Sequence, residues 1–432
     1  MTVNNNVTLY ENAFLGEKYY KIKHKSGLDI YVYPKNHTST YAIFGTNYGS
    51  VDNKFKLAGD KDFIEVPAGI AHFLEHKLFA NEDGTDSFEK FSEFGASANA
   101  YTSNNMTAYL FSCTENFKES LEILLDFVTH PYFTPESVEK EQGIIAQELR
   151  MYEDHPGSCL FYNLLEAMYE KHSVRINVGG TVESISHITA DILYDCYRVF
   201  YNLSNMVLSV CGDVSVDEVL EVADRILPIK EPVEIVRWTE EEKPEVYKKK
   251  IEKRMEVALP LFAIGVKDTE ISADPMERLK KAECAEILGE ILFGKSGEFF
   301  NDLYESGMIF SLDDEFDHNR SFSFCVISGE AKDPDAVYAK FVEYIEKVRA
   351  SGIDKNRFEV ARRVLYADSL KDFDNTSEIA NNVMFEAFEG CDVFSAIDVV
   401  KSISYEDVCE LFDKLYREEH YSLSVILPEK ND

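Results

Sequence analysis

Sliding this chain along itself by half its length lays residues 188–210 over 403–425 without a gap, matching Ile188/Ile403, Tyr201/Tyr416, Leu208/Leu423, Ser209/Ser424 and Val210/Val425. A shift one residue shorter lays Ala71, His72, Phe73, Leu74, Glu75 and His76 over Ala285, Glu286, Ile287, Leu288, Gly289 and Glu290, with Leu78/Leu292 and Phe79/Phe293 following. Two independent alignments whose offsets agree within one residue indicate an internal duplication, so whatever one half folds into, the other must repeat. The length agrees, because 432 residues exceed the roughly 250–300 at which one hydrophobic core stops growing. Two homologous domains are expected, 1–227 and 251–432. Between them 228–250 reads as a solvated linker, carrying Pro232, Glu240, Glu241, Glu242, Lys243, Pro244 and Lys248, Lys249 and Lys250 with few apolar anchors. Each half alternates short strands (41–46, 206–211) with long amphipathic helices (117–128, 191–200), which predicts an α+β fold of layered sheet and helices. No glycine-rich phosphate loop interrupts the pattern.

The first copy of the aligned helix carries chemistry that the second lacks. At about 100° per residue, His72, Glu75 and His76 share one third of the helix circumference, while Ile70, Phe73, Leu74 and Leu78 occupy the opposite side. Imidazoles at i and i+4 can both aim a ring nitrogen at one tetrahedral cation, which leaves the intervening carboxylate free to act as a base. The order H-x-x-E-H is the inverted zincin arrangement. A catalytic zinc takes three protein ligands and keeps one open position, so a third donor must come from elsewhere. Thr134, Pro135 and Glu136 open a second helix, and on it Glu148 lies about 20° from Glu141 on the stripe of Ile144 and Ile145. Carboxylates on a core-facing stripe need a partner or a metal. Glu148 is therefore assigned as third ligand and Glu141 as its supporting neighbour.

These residues carry a resemblance. His72-x-x-Glu75-His76 followed by Glu141 and Glu148 resembles the active site of the pitrilysin or insulinase family of zinc peptidases. The likeness continues through 95–102 with Thr107 and Tyr109, similar to that family's substrate-edge strand, and through 201–206 leading into Gly212 and Asp213. It implies half of a four-domain clamshell, with Zn2+ held by His72, His76 and Glu148 in the first domain and a metal-free second domain. It further implies that Glu75 activates water for peptide hydrolysis in an enclosed chamber, and that Asn99, Ala100 and Thr102 line an extended peptide substrate. In the family, the second half commonly carries an Arg and a Tyr that reach substrate. Here that frame holds Tyr304 and Phe310 instead, with one residue fewer between them. A companion subunit supplying the pair is thus expected, with a homodimer or a self-sufficient chain as alternatives. The competing function is a peptide-binding or assembly subunit of a heterodimer with little or no catalysis.

Composition narrows the setting. A net charge of −34 repels phosphate backbones and anionic lipid, and no basic patch interleaved with aromatics appears, so neither nucleic acid nor membrane is an expected partner. The eight cysteines are scattered singly, without a C-x-x-C pair. Residues 1–6 lack the basic start and apolar core of a secretion signal, and about 18 consecutive apolar residues occur nowhere. A cytoplasmic protein is expected. The other eight histidines have no ligand-spaced companion.

Overall fold

The computed structural model describes residues 6–82 and 84–430, so most of the leading 1–6 stretch lies outside the described residues. Its strands in chain order are β1 Asn6–Asn12, β2 Glu17–Lys23, β3 Asp29–Pro34, β4 Thr40–Thr46, β5 Lys54–Leu57, β6 Ile64–Glu65, β7 Ser97–Thr102, β8 Thr107–Cys113 and β9 Met206–Gly212. The remainder are β10 Ile235–Arg237, β11 Lys250–Met255, β12 Leu261–Asp268, β13 Ile309–His318, β14 Ser323–Ala331 and β15 Tyr421–Pro428. The expected α+β class is observed, with helices layered on sheets.

The first compact unit holds the residues up to Leu149, 177–238 and 371–393. Its main sheet runs β1-β2-β3-β9-β4-β8-β7, antiparallel except for the β3/β9 pair. One face packs Val32, Phe44, Leu208 and Phe111 into a core shared with Phe73 and Leu74 of the helix Ile70–Leu78 and with Leu121, Leu124 and Leu125 of the helix Phe117–Thr129. The opposite face is covered by the helix Thr376–Glu389, which lies on β4 and β9. With both faces covered, β9 is buried along its whole length, which is why it reads as a continuous apolar run and not as an alternating one.

The second unit holds 150–176, 239–370 and the chain from Phe394 onward. Its sheet runs β11-β15-β12-β14-β13 and is covered by the helix Pro156–Met168 lying on β12 and β15. The same device recurs in each unit: a Cβ built on Gly45 of β4 would meet Met384 Sδ at 2.4 Å, and one on Gly265 of β12 would meet Met168 Sδ at 2.6 Å. The duplication is visible in local structure as well. Thr189 and Ser404 each N-cap a helix, Ala190–Phe200 and Tyr405–Leu415, whose following residues are Tyr201 and Tyr416 and which lead through a short 3-10 turn into β9 and β15.

These units do not follow the 1–227, 228–250, 251–432 division expected from chain order. Each half sends one helix to cover the other half's sheet, because Leu164, Leu165 and Met168, or Ile379, Val383 and Met384, only need an apolar sheet face to bury against. Nor is 228–250 a plain solvated linker. Ile235–Arg237 pairs with β5 in the first unit, and Arg237 Nε lies 2.9 Å from Asp52 Oδ1. In the second unit the Glu242 carboxylate accepts N–H groups from Lys171 and His172 at 2.5 and 2.7 Å and pairs with the buried Lys267 at 3.2 Å. Its charges are anchors.

Candidate metal centre

The helix Ile70–Leu78 starts at Gly69, whose φ of 90° a side chain rarely adopts. A Cβ there would also lie 2.2 Å from the carbonyl oxygen of Gly179. Gly69 and Gly179 therefore let two backbones touch, and this contact seats the first turn of the helix. The apolar side of that helix, Ile70, Phe73, Leu74 and Leu78, is sunk in the core, so His72, Glu75 and His76 turn outward together. The helix Pro135–Asp154 faces them. It opens at Thr134, whose hydroxyl oxygen accepts the Ser137 N–H at 3.1 Å, while Ile145 and Leu149 bury its inner side and bring Glu141 and Glu148 toward the histidines.

Ligand atoms of His72, His76 and Glu148 all lie within 4.8 Å of one another, the only such triad of His, Cys, Asp or Glu among the described residues. His72 Nε2 is 3.7 Å from Glu148 Oε1, and His76 Nε2 is 3.5 Å from Glu148 Oε2. Two ligands at tetrahedral angles on one zinc, each about 2.0–2.1 Å away, sit roughly 3.3–3.4 Å apart. The donor set fits that cation in type and spacing, and like-charged ions need not be brought together to form it. Behind the pair, His76 Nδ1 bonds Glu141 Oε1 at 3.2 Å, the carboxylate–imidazole contact that fixes which ring nitrogen faces a metal. His72 Nδ1 is buried without a hydrogen-bond partner.

Electrostatics separate the roles. Burial, aided by His76, pushes His72 down to about 3, so its ring stays neutral with a lone pair available. For His76 burial acts the same way but is outweighed by the Glu141 hydrogen bond and by Glu75 and Glu148, so its pKa lies above the usual value. Glu141 is below its usual value: burial raises it, and the contacts with His76 and Lys77 overcome that rise. Burial holds Glu75 above the ordinary carboxylate range, and the Thr102 hydroxyl donates to its Oε2 at 2.5 Å. A buried carboxylate with a raised pKa beside a cation site is suited to exchange a proton.

Asn99 and Ala100 lie on β7, the edge strand of the main sheet, and border a cleft of about 680 Å³ beside Glu75 and His76 whose walls include Phe79, Phe88, Tyr132 and Ile144. The Ala100 N–H is held by its neighbour's own Asn99 Oδ1 at 2.9 Å. Thr102, expected among the substrate contacts, has its hydroxyl on Glu75. Tyr304 and Phe310, where the family frame places Arg and Tyr, are both exposed in the second unit. Three features went unread in the sequence: the Gly179–Gly180 pair under the helix start, the Thr102 contact, and Lys77, a cation on the apolar stripe. A glycine doublet and a charge in a core position were the available signals.

Two imidazoles on one helix, a carboxylate from a second and a free glutamate between the imidazoles make up the donor arrangement of an H-x-x-E-H metallopeptidase. The chain belongs to the insulinase family, peptidase family M16: residues 65–182 match the family's Insulinase (Peptidase family M16) domain and 187–365 match its Peptidase M16 inactive domain. It is 40% identical over 422 residues to the uncharacterized zinc protease YmfH of Bacillus subtilis, covering 96% of this chain and 98% of that one. A shorter stretch, 170 residues at 29% identity, is similar to the mitochondrial-processing peptidase subunit beta of Bos taurus, covering 38% of this chain and 35% of that subunit. Among solved structures, an M16-like peptidase from Alicyclobacillus acidocaldarius superposes with a TM-score of 0.90 at 32% identity, covering 99% of this chain and all, 100%, of the other. Pitrilysin shares the fold at a TM-score of 0.78 and 16% identity, this chain spanning 47% of it.

Proposed function

We propose that this protein is a zinc-dependent endopeptidase that hydrolyses peptides or small unfolded proteins. The observation that carries the reading is the convergence of His72, His76 and Glu148 from two helices with Glu75 left over as a base. Zinc held by that triad supplies Lewis acidity, activating water near neutral pH and polarising the scissile carbonyl. Glu75 accepts the proton from the attacking water and returns it to the departing amine nitrogen. Thr102 holds the Glu75 carboxylate in line, and Glu141 holds the His76 ring. An extended peptide adds to the β7 edge once the Asn99 side chain releases the Ala100 N–H, and its neighbouring side chain enters the cleft by Phe79 and Phe88. Cleavage of a quenched fluorogenic peptide, abolished by a chelator and restored by Zn2+, tests this. Cleavage that is indifferent to the chelator would exclude it.

A second reading is supported by Tyr304 and Phe310: the chain acts within a dimer, with a companion subunit supplying the missing Arg and Tyr, and is weakly catalytic or only peptide-binding alone. That a relative is named as a subunit agrees with it. Native mass measurement of the complexes this chain forms, with peptidase assays of the isolated chain and of each complex, separates the two readings. Cytoplasmic residence is proposed as well. Among the described residues none of the eight cysteines is joined in a disulfide, five of them are buried, and no helix is long and apolar enough to cross a membrane.

A further inference from the structure

Five residues of the helix Ile70–Leu78 form its core stripe at helical spacing: Ile70, Phe73, Leu74, Lys77 and Leu78. Four are apolar. The fifth is a lysine whose side chain is only 3% exposed. An ammonium is not left in such a position without a counter-charge, because burial strips its hydration and the apolar neighbours return nothing. Its ion-pair partner is Glu141, with Lys77 Nζ 3.9 Å from Glu141 Oε2, and the other oxygen of that same carboxylate, Oε1, is the one on His76 Nδ1 at 3.2 Å. Lys77, Glu141 and His76 thus form a relay in which one carboxylate oxygen serves the buried ammonium and the other the imidazole.

Charge points the same way. Glu75, Glu141 and Glu148 place three carboxylates around the two imidazoles, and a divalent cation offsets only two of them. The Lys77 ammonium balances the third through Glu141, the carboxylate that is not among the three donors. Lys140 also borders the same cleft, but it is exposed on the neighbouring helix, and its repulsion makes Glu141 more necessary to Lys77, not less.

We propose that Lys77 is a positioning residue for the metal centre, its buried ammonium pinning Glu141 so that Glu141 in turn holds the His76 ring with Nε2 turned to the cation. This rests on the zinc reading above. It goes beyond that reading in making the chain's metal affinity depend on a side chain that is not itself a ligand. The competing account is that Lys77 only complements the carbonyl end of its helix, being in the last turn. That account predicts a loss of stability without a loss of zinc.

The test is a competition titration of the full-length chain with Zn2+ against a chromophoric chelator, for the parent, Lys77→Met, Lys77→Arg, Glu141→Gln and the Lys77→Met/Glu141→Gln double variant. Lys77→Met, which keeps the volume and the helix, is expected to weaken zinc by about 10–100-fold, the usual effect of losing a residue that orients a ligand. Lys77→Arg retains most of the affinity. In the Glu141→Gln background the Met substitution changes affinity by no more than about twofold, since its route to His76 is already cut. Co2+ bound to Lys77→Met shows an altered visible spectrum, and Co2+ bound to Lys77→Arg does not. Should Lys77→Met fail to fold by circular dichroism, Lys77→Gln takes its place in the same comparison. Zinc affinity equal to the parent's, or the same loss with and without Glu141, overturns the inference while leaving the metal site intact. A parent chain that binds no Zn2+ overturns the metal reading and this inference together.

Discussion

The Thr102 hydroxyl donates to Glu75 Oε2 at 2.5 Å, joining the last residue of the edge strand β7 to the free carboxylate of the histidine helix. Thr102 is itself backed by Thr107, whose hydroxyl lies 3.4 Å away and also donates to the Tyr48 carbonyl at 2.9 Å. The strand that borders the cleft is therefore mechanically tied to the residue proposed as base. Thr102→Val, which keeps the shape and removes the donor, is expected to lower kcat on the order of tenfold, about 1.4 kcal/mol of barrier. Zinc content stays at the parent level. Unchanged kcat in steady-state assays would show that Glu75 needs no such guide.

Glu75 and Glu148 are predicted to fail in different ways. Glu75→Gln keeps its zinc through dialysis but loses roughly 10²–10⁴-fold in turnover, the usual share of a general base. Glu148→Gln loses metal first, and its activity recovers in part when Zn2+ is supplied in excess. Metal analysis after dialysis, set beside peptide cleavage, distinguishes the pair. A Glu75→Gln variant with near-parental activity would remove that residue from the mechanism.

Gly69 is predicted to be intolerant of any side chain. Its φ of 90° is strained for other residues, and the Gly179 carbonyl leaves no room for a Cβ. Gly69→Ala should cost about 1–3 kcal/mol in chemical denaturation, at the upper end of what single substitutions do, and weaken zinc as the first turn shifts. A variant as stable as the parent would mean the two backbones are not in contact.

The covering helix Thr376–Glu389 carries a pH-dependent cost. Burial first, then Glu389 and Asp392, push Glu386 up to about 7 from an unfolded value near 4.5. A carboxyl whose folded pKa is raised binds more protons folded than unfolded between those values, so its contribution is whole below about 4.5 and is lost as pH rises through about 7. Glu386→Gln should therefore raise the melting temperature at pH 8 and leave it unchanged at pH 4.5. Equal shifts at both pH values would indicate a packing effect and not a titration.

The helical spacing of His72, Glu75 and His76 was legible because a core needs one face of that helix, and the other face had to point outward. Glu141 and Glu148 were read from a stripe with Ile144 and Ile145; of those two Ile145 is buried and Ile144 is exposed, and it is Leu149 that joins Ile145 on the inner side. The exchanged helices were not. An amphipathic pattern such as Leu164, Leu165 and Met168 says that a face is buried and nothing about which sheet buries it, so chain order suggested two sequential halves. The charges of 228–250 misled similarly: Glu242 looks solvated until three backbone N–H groups, those of Glu170, Lys171 and His172, are seen to converge on it. Lys77 went unread because a lysine in a helix's last turn is ordinary, although it falls at a core position of the stripe and is buried there.

The claim beneath the rest is that two helices bring three donors onto one cation. Anomalous diffraction at the zinc edge, on crystals of the full-length chain grown with Zn2+, measures this directly. The account predicts a peak at about 2.0–2.2 Å from His72 Nε2, His76 Nε2 and a Glu148 oxygen, with Glu75 outside bonding distance. A peak bound elsewhere, or Glu148 turned away from the two imidazoles, would contradict it.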